Sequence, residues 1–265
     1  MGNGEVALAG GLAALAVMVV TWLASLVQRD VSLVDRVWGL GFVAMAWTYA
    51  VAVDGGSRIL LAAVLITVWG LRLSVYITAR NWGDGEDPRY AAMRAKRPDT
   101  FAVRSLVTVF VLQGALAWLV ALPLYGIAIS GPDDLGWLDV IGVAIWAVGF
   151  TFEAVGDWQL SRFLGDEANR GRVLDTGLWR WTRHPNYFGD ATMWWGIGVI
   201  GLAAGAWWGL VGPALMMVLI VKVSGVALTD RNMAGKSKRE GHAAYVARTS
   251  AFFPRPPRKL TDVDG

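Results

Sequence analysis

Seven apolar runs constrain this chain more than anything else in it. They cover about residues 5–27, 33–53, 58–79, 104–130, 136–156, 187–203 and 207–228. About 20 apolar residues in a helix cross roughly 30 Å of hydrocarbon. Inside a bilayer the backbone must satisfy its own hydrogen bonds, which leaves only helices and closed barrels. Runs this long and continuous read as helices. The expectation is therefore all-α: a polytopic membrane helix bundle with about seven transmembrane helices, residues 1–265 forming a single integral membrane domain. Composition agrees. The chain is 55% hydrophobic and 17% charged, against about one quarter charged in soluble domains. The first run has no basic stretch before it and reads as a retained helix, not a cleaved signal.

Charge sets the expected orientation. Segments 80–104, 157–189 and 229–265 hold 19 of the 24 Lys and Arg. The alternate loops are the short "DGGS" (54–57) and "GPDDL" (131–135). Basic loops stay in the cytoplasm, so the N-terminus is expected outside and the C-terminus inside. Other features exclude function classes. Without Cys there is no thiol catalysis, disulfide or thiolate metal site. Two His, His184 and His242, do not make a His-rich metal centre. A net charge of +3 is too small for nucleic-acid binding.

Several ionisable groups lie inside or at the ends of the apolar runs: Asp35, Arg36, Arg72, Glu153, Asp157, Asp190 and Lys222. Such groups are costly in a membrane and point to function by default. The densest polar stretch is "WRWTRHPNYFGDATMWWG", residues 179–196. Pro185 suits the first turn of a helix, where its missing N–H costs nothing. Asn186 and Asp190 then share a helix face, with Tyr187 close enough to join them. The alternative is an interfacial cap, in which Arg183 and His184 snorkel and the aromatic residues form a belt. In the third run Trp69, Arg72 and Tyr76 share a face; an ion pair of Arg72 with Asp35 or Glu153 is the competing reading. Asp35, near the end of the second run, is a candidate proton donor, or else a partner of Arg36 or Arg72. The loop after the third run offers Asn81, Glu86, Asp87, Arg89 and Tyr90 as polar contacts. Arg162, Arg170, Arg172, Arg180 and Arg183, interleaved with Trp, suit the phosphates of a nucleotide or anionic lipid headgroups.

"GLWRWTRHPNYFGD", two hydrophobic segments and the tail "YVARTSAFFPRPP" resemble the steroid 5-alpha-reductase C-terminal family. More narrowly they resemble its bacterial branch with "RHPNYFG", as do "SLVDRVWGLGF" and "RNWGDGEDPRY". The resemblance implies a seven-helix reductase, here in a bacterial inner (cell) membrane. It implies that NADPH binds on the cytoplasmic side, under segments 80–103, 157–186 and 229–265. The reaction implied is reduction of a carbon–carbon double bond conjugated to a carbonyl, in a lipid-soluble substrate drawn from the membrane lipids. In the family, the positions matching Asn186 and Asp190 contact the nicotinamide end, with Asp here where Glu is more usual. Asp157 and Arg172 fall at cofactor-binding positions. Tyr187, Arg183 and His184 lie in the same motif, and Tyr245 and Arg248 belong to the tail that closes over the nucleotide. The steroid enzymes polarise the substrate ketone with a Glu and a Tyr. This sequence has no matching pair, and Asp35 and Tyr76 stand as the catalytic candidates. Two rivals remain. A short "RHP-x-Y-x-G" motif also resembles the isoprenylcysteine carboxyl methyltransferases, which use S-adenosylmethionine. A lipid-binding or transport protein is the non-enzymatic reading.

Overall fold

A computed structural model describes residues 1–131, 134–226 and 241–258. The end of the seventh run (227–228), tail residues 229–240 and 259–265, and Pro132 and Asp133 lie outside the described residues. Among the described residues the chain is all-helical, without a strand, and is a polytopic membrane protein. In chain order the helices are α1 (Asn3–Gln28), α2 (Leu33–Ala52), α3 (Ser57–Arg80), α4 (Pro88–Lys96), α5 (Phe101–Val120), α6 (Leu122–Ile129), α7 (Trp137–Leu164), α8 (Pro185–Ala203), α9 (Val211–Val218) and α10 (His242–Arg248). Four of them, α1, α3, α5 and α7, are long and apolar enough to cross a membrane. α1 leaves Leu8, Leu12, Val20, Leu23 and Val27 exposed. Such a surface is a liability in water and an ordinary lipid-facing surface in a bilayer.

Among the described residues each apolar run lies largely on helix, with local departures. In the fourth run α5 carries a π-helical turn at Leu106–Val111. It stops at Val120, and α6 restarts with Pro123 in its first turn. A proline inside a helix would clash with the preceding turn. The chain therefore breaks fully at Ala121, where a kink in one continuous helix is the sequence expectation from Pro123. The seventh run begins as a 3₁₀ turn (Trp207–Leu210) and passes through α9 to a π turn (Leu219–Ser224). α7 continues to Leu164, beyond the apolar run that ends near 156.

Contacts divide the chain into two compact units, Met1–Asp139 with Ile200–Gly212, and Val140–Val199 with Pro213–Gly265. In the first, α2 and α3 meet backbone to backbone. A Cβ at Gly39 would stand 2.8 Å from the Gly70 carbonyl oxygen, so only glycine permits this approach. Trp38, Phe42 and Trp69 fill the space beside it edge to face, with centroids 4.8, 5.6 and 6.5 Å apart. At one end of these helices Arg58 and Asp139 form a buried bidentate pair, at 2.9 and 3.0 Å. Asp139 also accepts the Gly136 N–H, and Arg58 donates to the Asp134 carbonyl. The pair ties the start of α3 to the start of α7.

The second unit is organised by glycines where α7 meets α8. Alanine at Gly149, Gly189 or Gly196 would overlap backbone of the facing helix. Segment 165–184 folds back along α7. Gln159 accepts the Leu178 N–H at 3.0 Å, and the Trp179 indole donates to the Gly156 carbonyl at 3.1 Å.

Candidate functional site

Pro185 opens α8, as the sequence predicts, and Asn186 follows in the first turn. Gly156 on α7 lets the two helices close up at this point, since a Cβ there would lie 3.2 Å from the Asn186 nitrogen. The Asn186 amide then donates to Asp157 at 3.1 Å, and its oxygen accepts the Tyr187 N–H at 3.0 Å. Asp157 and Glu153, one turn apart on α7, are both buried. Asp190 lies one turn beyond Asn186 on α8. Two sequence-predicted cofactor residues, Asn186 and Asp157, are thus in direct contact. Tyr187 stacks on the buried His184 ring, with centroids 5.5 Å apart and planes at 22°.

The tail packs on segment 175–184, and several predicted residues serve that joint. Tyr245, buried on α10, donates its hydroxyl to the Trp179 carbonyl at 2.7 Å. The Arg183 N–H donates to the Ser250 carbonyl at 2.8 Å. Its guanidinium donates to the carbonyls of Thr249 (2.8 Å) and Val246 (3.3 Å). Arginine at the end of a helix suits the exposed carbonyls there. Thr182, fully buried, donates to the Phe252 carbonyl at 2.8 Å. Arg248 pairs with Asp175. Arg172 is exposed beside a small hollow on segment 163–172. A larger cleft of about 600 Å³ opens where segment 175–180 meets tail residues 248–258, and Arg180, Arg248 and Arg258 line it.

The first unit holds a second polar cluster. Asp35 pairs with Arg89 at 2.8 Å and accepts the Tyr90 hydroxyl at 3.0 Å. Arg36 pairs with Asp30 instead, at 3.1 Å. Arg89 bridges Asp35 to Asp87. Glu86 pairs with Arg94 and accepts the Val31 N–H. Segment 86–94 is thereby clamped to the turn between α1 and α2. Burial and the charge of Asp35 push the Tyr90 phenol above its ordinary range, which keeps its proton in place as a donor. Arg94 bonded to Glu86 holds that carboxyl below its ordinary value despite burial. Tyr76 lies on α3 between two guanidiniums, with Arg72 5.2 Å and Arg80 5.4 Å from its ring centre.

Sequence reasoning missed the Asp35–Arg89–Tyr90 arrangement. Asp35 and Tyr90 are 55 residues apart, and no local pattern pairs them. It also missed Thr249 and Arg258, whose place in the cleft depends on how the tail docks.

The chain belongs to the family described as "Protein of unknown function (DUF1295)", whose model matches residues 21–249. It is similar to "Uncharacterized protein C594.04c" of Schizosaccharomyces pombe, 26% identical over 274 residues, covering 89% of this chain and 76% of that protein. No solved structure matches the chain.

Proposed function

We propose that this DUF1295 protein is a membrane-embedded, NADPH-dependent reductase of a carbon–carbon double bond conjugated to a carbonyl in a lipid-soluble substrate. The observation that carries the reading is the partly buried contact between Asn186, at the start of α8, and the buried Asp157. The family's association with steroid 5-alpha-reductase-like proteins supports it. In the same reading the N-terminus is outside and the basic segments are cytoplasmic, in a bacterial cell membrane.

The residues fit the cofactor chemically. A nicotinamide carboxamide presents donors and an acceptor together. The carboxylates of Asp157 and Asp190 accept, and the Asn186 amide has two N–H donors to share between Asp157 and a ligand. When bound, NADPH supplies the hydride. Everything else falls to the chain. Asn186, Asp157 and Asp190 orient the carboxamide. Tyr76 is the proposed donor to the substrate oxygen as negative charge develops there. Asp35, the other proposed donor, serves in that role only in its protonated form, since its carboxylate accepts from Arg89 and Tyr90. Tyr90 and Arg89 hold the Asp35 carboxylate in position. Apolar helices exclude water from the transfer.

One observation favours the methyltransferase rival: Glu153, Asp157 and Asp190 are three acids on facing helices, which suits a cationic sulfonium. Fluorescence and thermal titration of the purified protein with NADPH and with S-adenosylmethionine separates the two. The cofactor that binds should stabilise by about 2.7 kcal/mol at a hundredfold excess over its dissociation constant. Asn186→Ala and Asp190→Ala should weaken NADPH binding. Stabilisation by S-adenosylmethionine with indifference to NADPH overturns the reductase.

A further inference from the structure

The cleft between segment 175–180 and tail residues 248–258 has features that neither the fold nor the nicotinamide site uses. Three arginines and one aspartate line it. Arg248 is balanced by Asp175. Among the described residues no carboxylate pairs with Arg180 or Arg258. Two guanidinium charges therefore face one concavity.

Thr249 is a second, independent sign. It is 4% exposed and lines the cleft. Its carbonyl accepts from Arg183 and its N–H donates to the Tyr245 carbonyl. Its hydroxyl alone has no hydrogen-bond partner among the described residues. Buried polar groups are normally satisfied, so this hydroxyl awaits an acceptor.

The two arginines come from different segments. Arg180 ends a 3₁₀ turn that starts at Gly177, whose left-handed φ of 59° turns the chain there. Arg258 is fixed beside Arg248 by its own N–H, which donates to the Arg248 carbonyl at 2.9 Å. We propose that the cleft receives a phosphomonoester group, held by Arg180 and Arg258 with the Thr249 hydroxyl, and that its arrival ties the tail to the loop. Guanidinium forks match phosphate oxygens two at a time. A monoester carries about −1.5 to −2 at neutral pH, which balances the two open arginines. A phosphodiester would leave one of them uncompensated.

Two sources can present this group. One is the 2′-phosphate of NADPH, and that arm rests on the reductase reading. The other is the headgroup of phosphatidic acid, which needs no nucleotide at all. The test uses the full chain in phosphatidylcholine nanodiscs, with and without phosphatidic acid, probed by NADPH and NADH. Chymotrypsin cleavage at Phe252 and Phe253 reads the tail, and titration reads affinity. NADPH or phosphatidic acid should slow cleavage of the wild type. Arg180→Gln and Arg258→Gln should each weaken that effect at least tenfold, and Thr249→Val a few-fold. Both arginines are exposed, so these variants keep the fold. Protection by NADPH but not NADH, lost in Arg258→Gln, assigns the nucleotide. Protection by phosphatidic acid with no response to NADPH keeps the cleft and sinks the reductase reading. If no phosphate-bearing probe slows cleavage, or the Arg180→Gln/Arg258→Gln double variant behaves as wild type, the proposal is wrong.

Discussion

Replacing Gly189 with alanine adds one methyl group between α7 and α8, and its effect should reach the candidate site. An ideal Cβ there would lie 2.3 Å from the Glu153 nitrogen, 2.5 Å from the Gly149 carbonyl oxygen and 2.9 Å from the Glu153 Cα. Ordinary contact begins at 3.4 Å, so at the Glu153 nitrogen the helices must part by about 1.1 Å (3.4 less 2.3). Asn186 is one turn before Gly189, and its bond to Asp157 is 3.1 Å long. The same displacement stretches that bond to about 4 Å, beyond hydrogen-bond range. Overpacking of this kind costs about 1–3 kcal/mol of stability. Losing a hydrogen bond to a charged group costs about 1.5–3 kcal/mol, which weakens any binding that depends on it by roughly 10- to 150-fold. Thermal unfolding in detergent reads the first effect, and fluorescence titration with NADPH reads the second. Gly201→Ala is the control. Its nearest neighbour would be the Pro123 Cβ at 3.4 Å, and alanine in a helix gains up to about 1 kcal/mol over glycine. It should match or exceed wild-type stability. A Gly189→Ala protein with wild-type stability and wild-type affinity for NADPH would refute the claim that this glycine contact sets the site.

Two further outcomes follow from the first unit. Arg58→Met or Asp139→Leu alone removes one side of a buried bidentate pair and should cost about 3–5 kcal/mol. The double variant should recover most of that loss in thermal unfolding, and single variants as stable as the double would sink the assignment. The second outcome concerns acid. The Glu86 carboxyl titrates below its ordinary 4.5 because of Arg94, so it binds fewer protons folded than unfolded. Its contribution is therefore complete above about pH 4.5 and fades as pH falls through the lowered folded value. Hydrogen exchange in α4, corrected for intrinsic rates, should accelerate over that window. Glu86→Gln should flatten the change, and equal acid response in wild type and variant would count against the clamp.

Much of the fold was legible because a bilayer leaves few solutions. Each apolar run had to become helix, and among the described residues each did so over most of its length. Pro123 and Pro185 behaved as their missing N–H groups require, one breaking a helix and the other opening one. The Asn186–Asp190 spacing was readable for the same reason, since helical periodicity is local. Pairings across the chain were not. Asp35 suggested Arg36 or Arg72 as partner, yet its arginine is Arg89, delivered by a loop whose path depends on Glu86 and Arg94. Arg183 suggested an anion, yet it holds two tail carbonyls. A basic side chain next to an aromatic motif reads the same in sequence whether its partner is a phosphate or a peptide oxygen. Only the docked tail separates the two.

The docking of the tail has a consequence for the order in which the protein is made. Thr182 and Arg183 take partners 63–70 residues later in the chain, and Arg248 reaches back 73 residues to Asp175. Domains generally begin folding from the N-terminus during synthesis. The helices up to α8 can therefore enter the membrane while residues 179–184 still lack the strap that completes them. A ribosome that stalls before residue 245 leaves segment 179–183 without its partners at residues 245–252, so assembly of this end waits on synthesis of that segment.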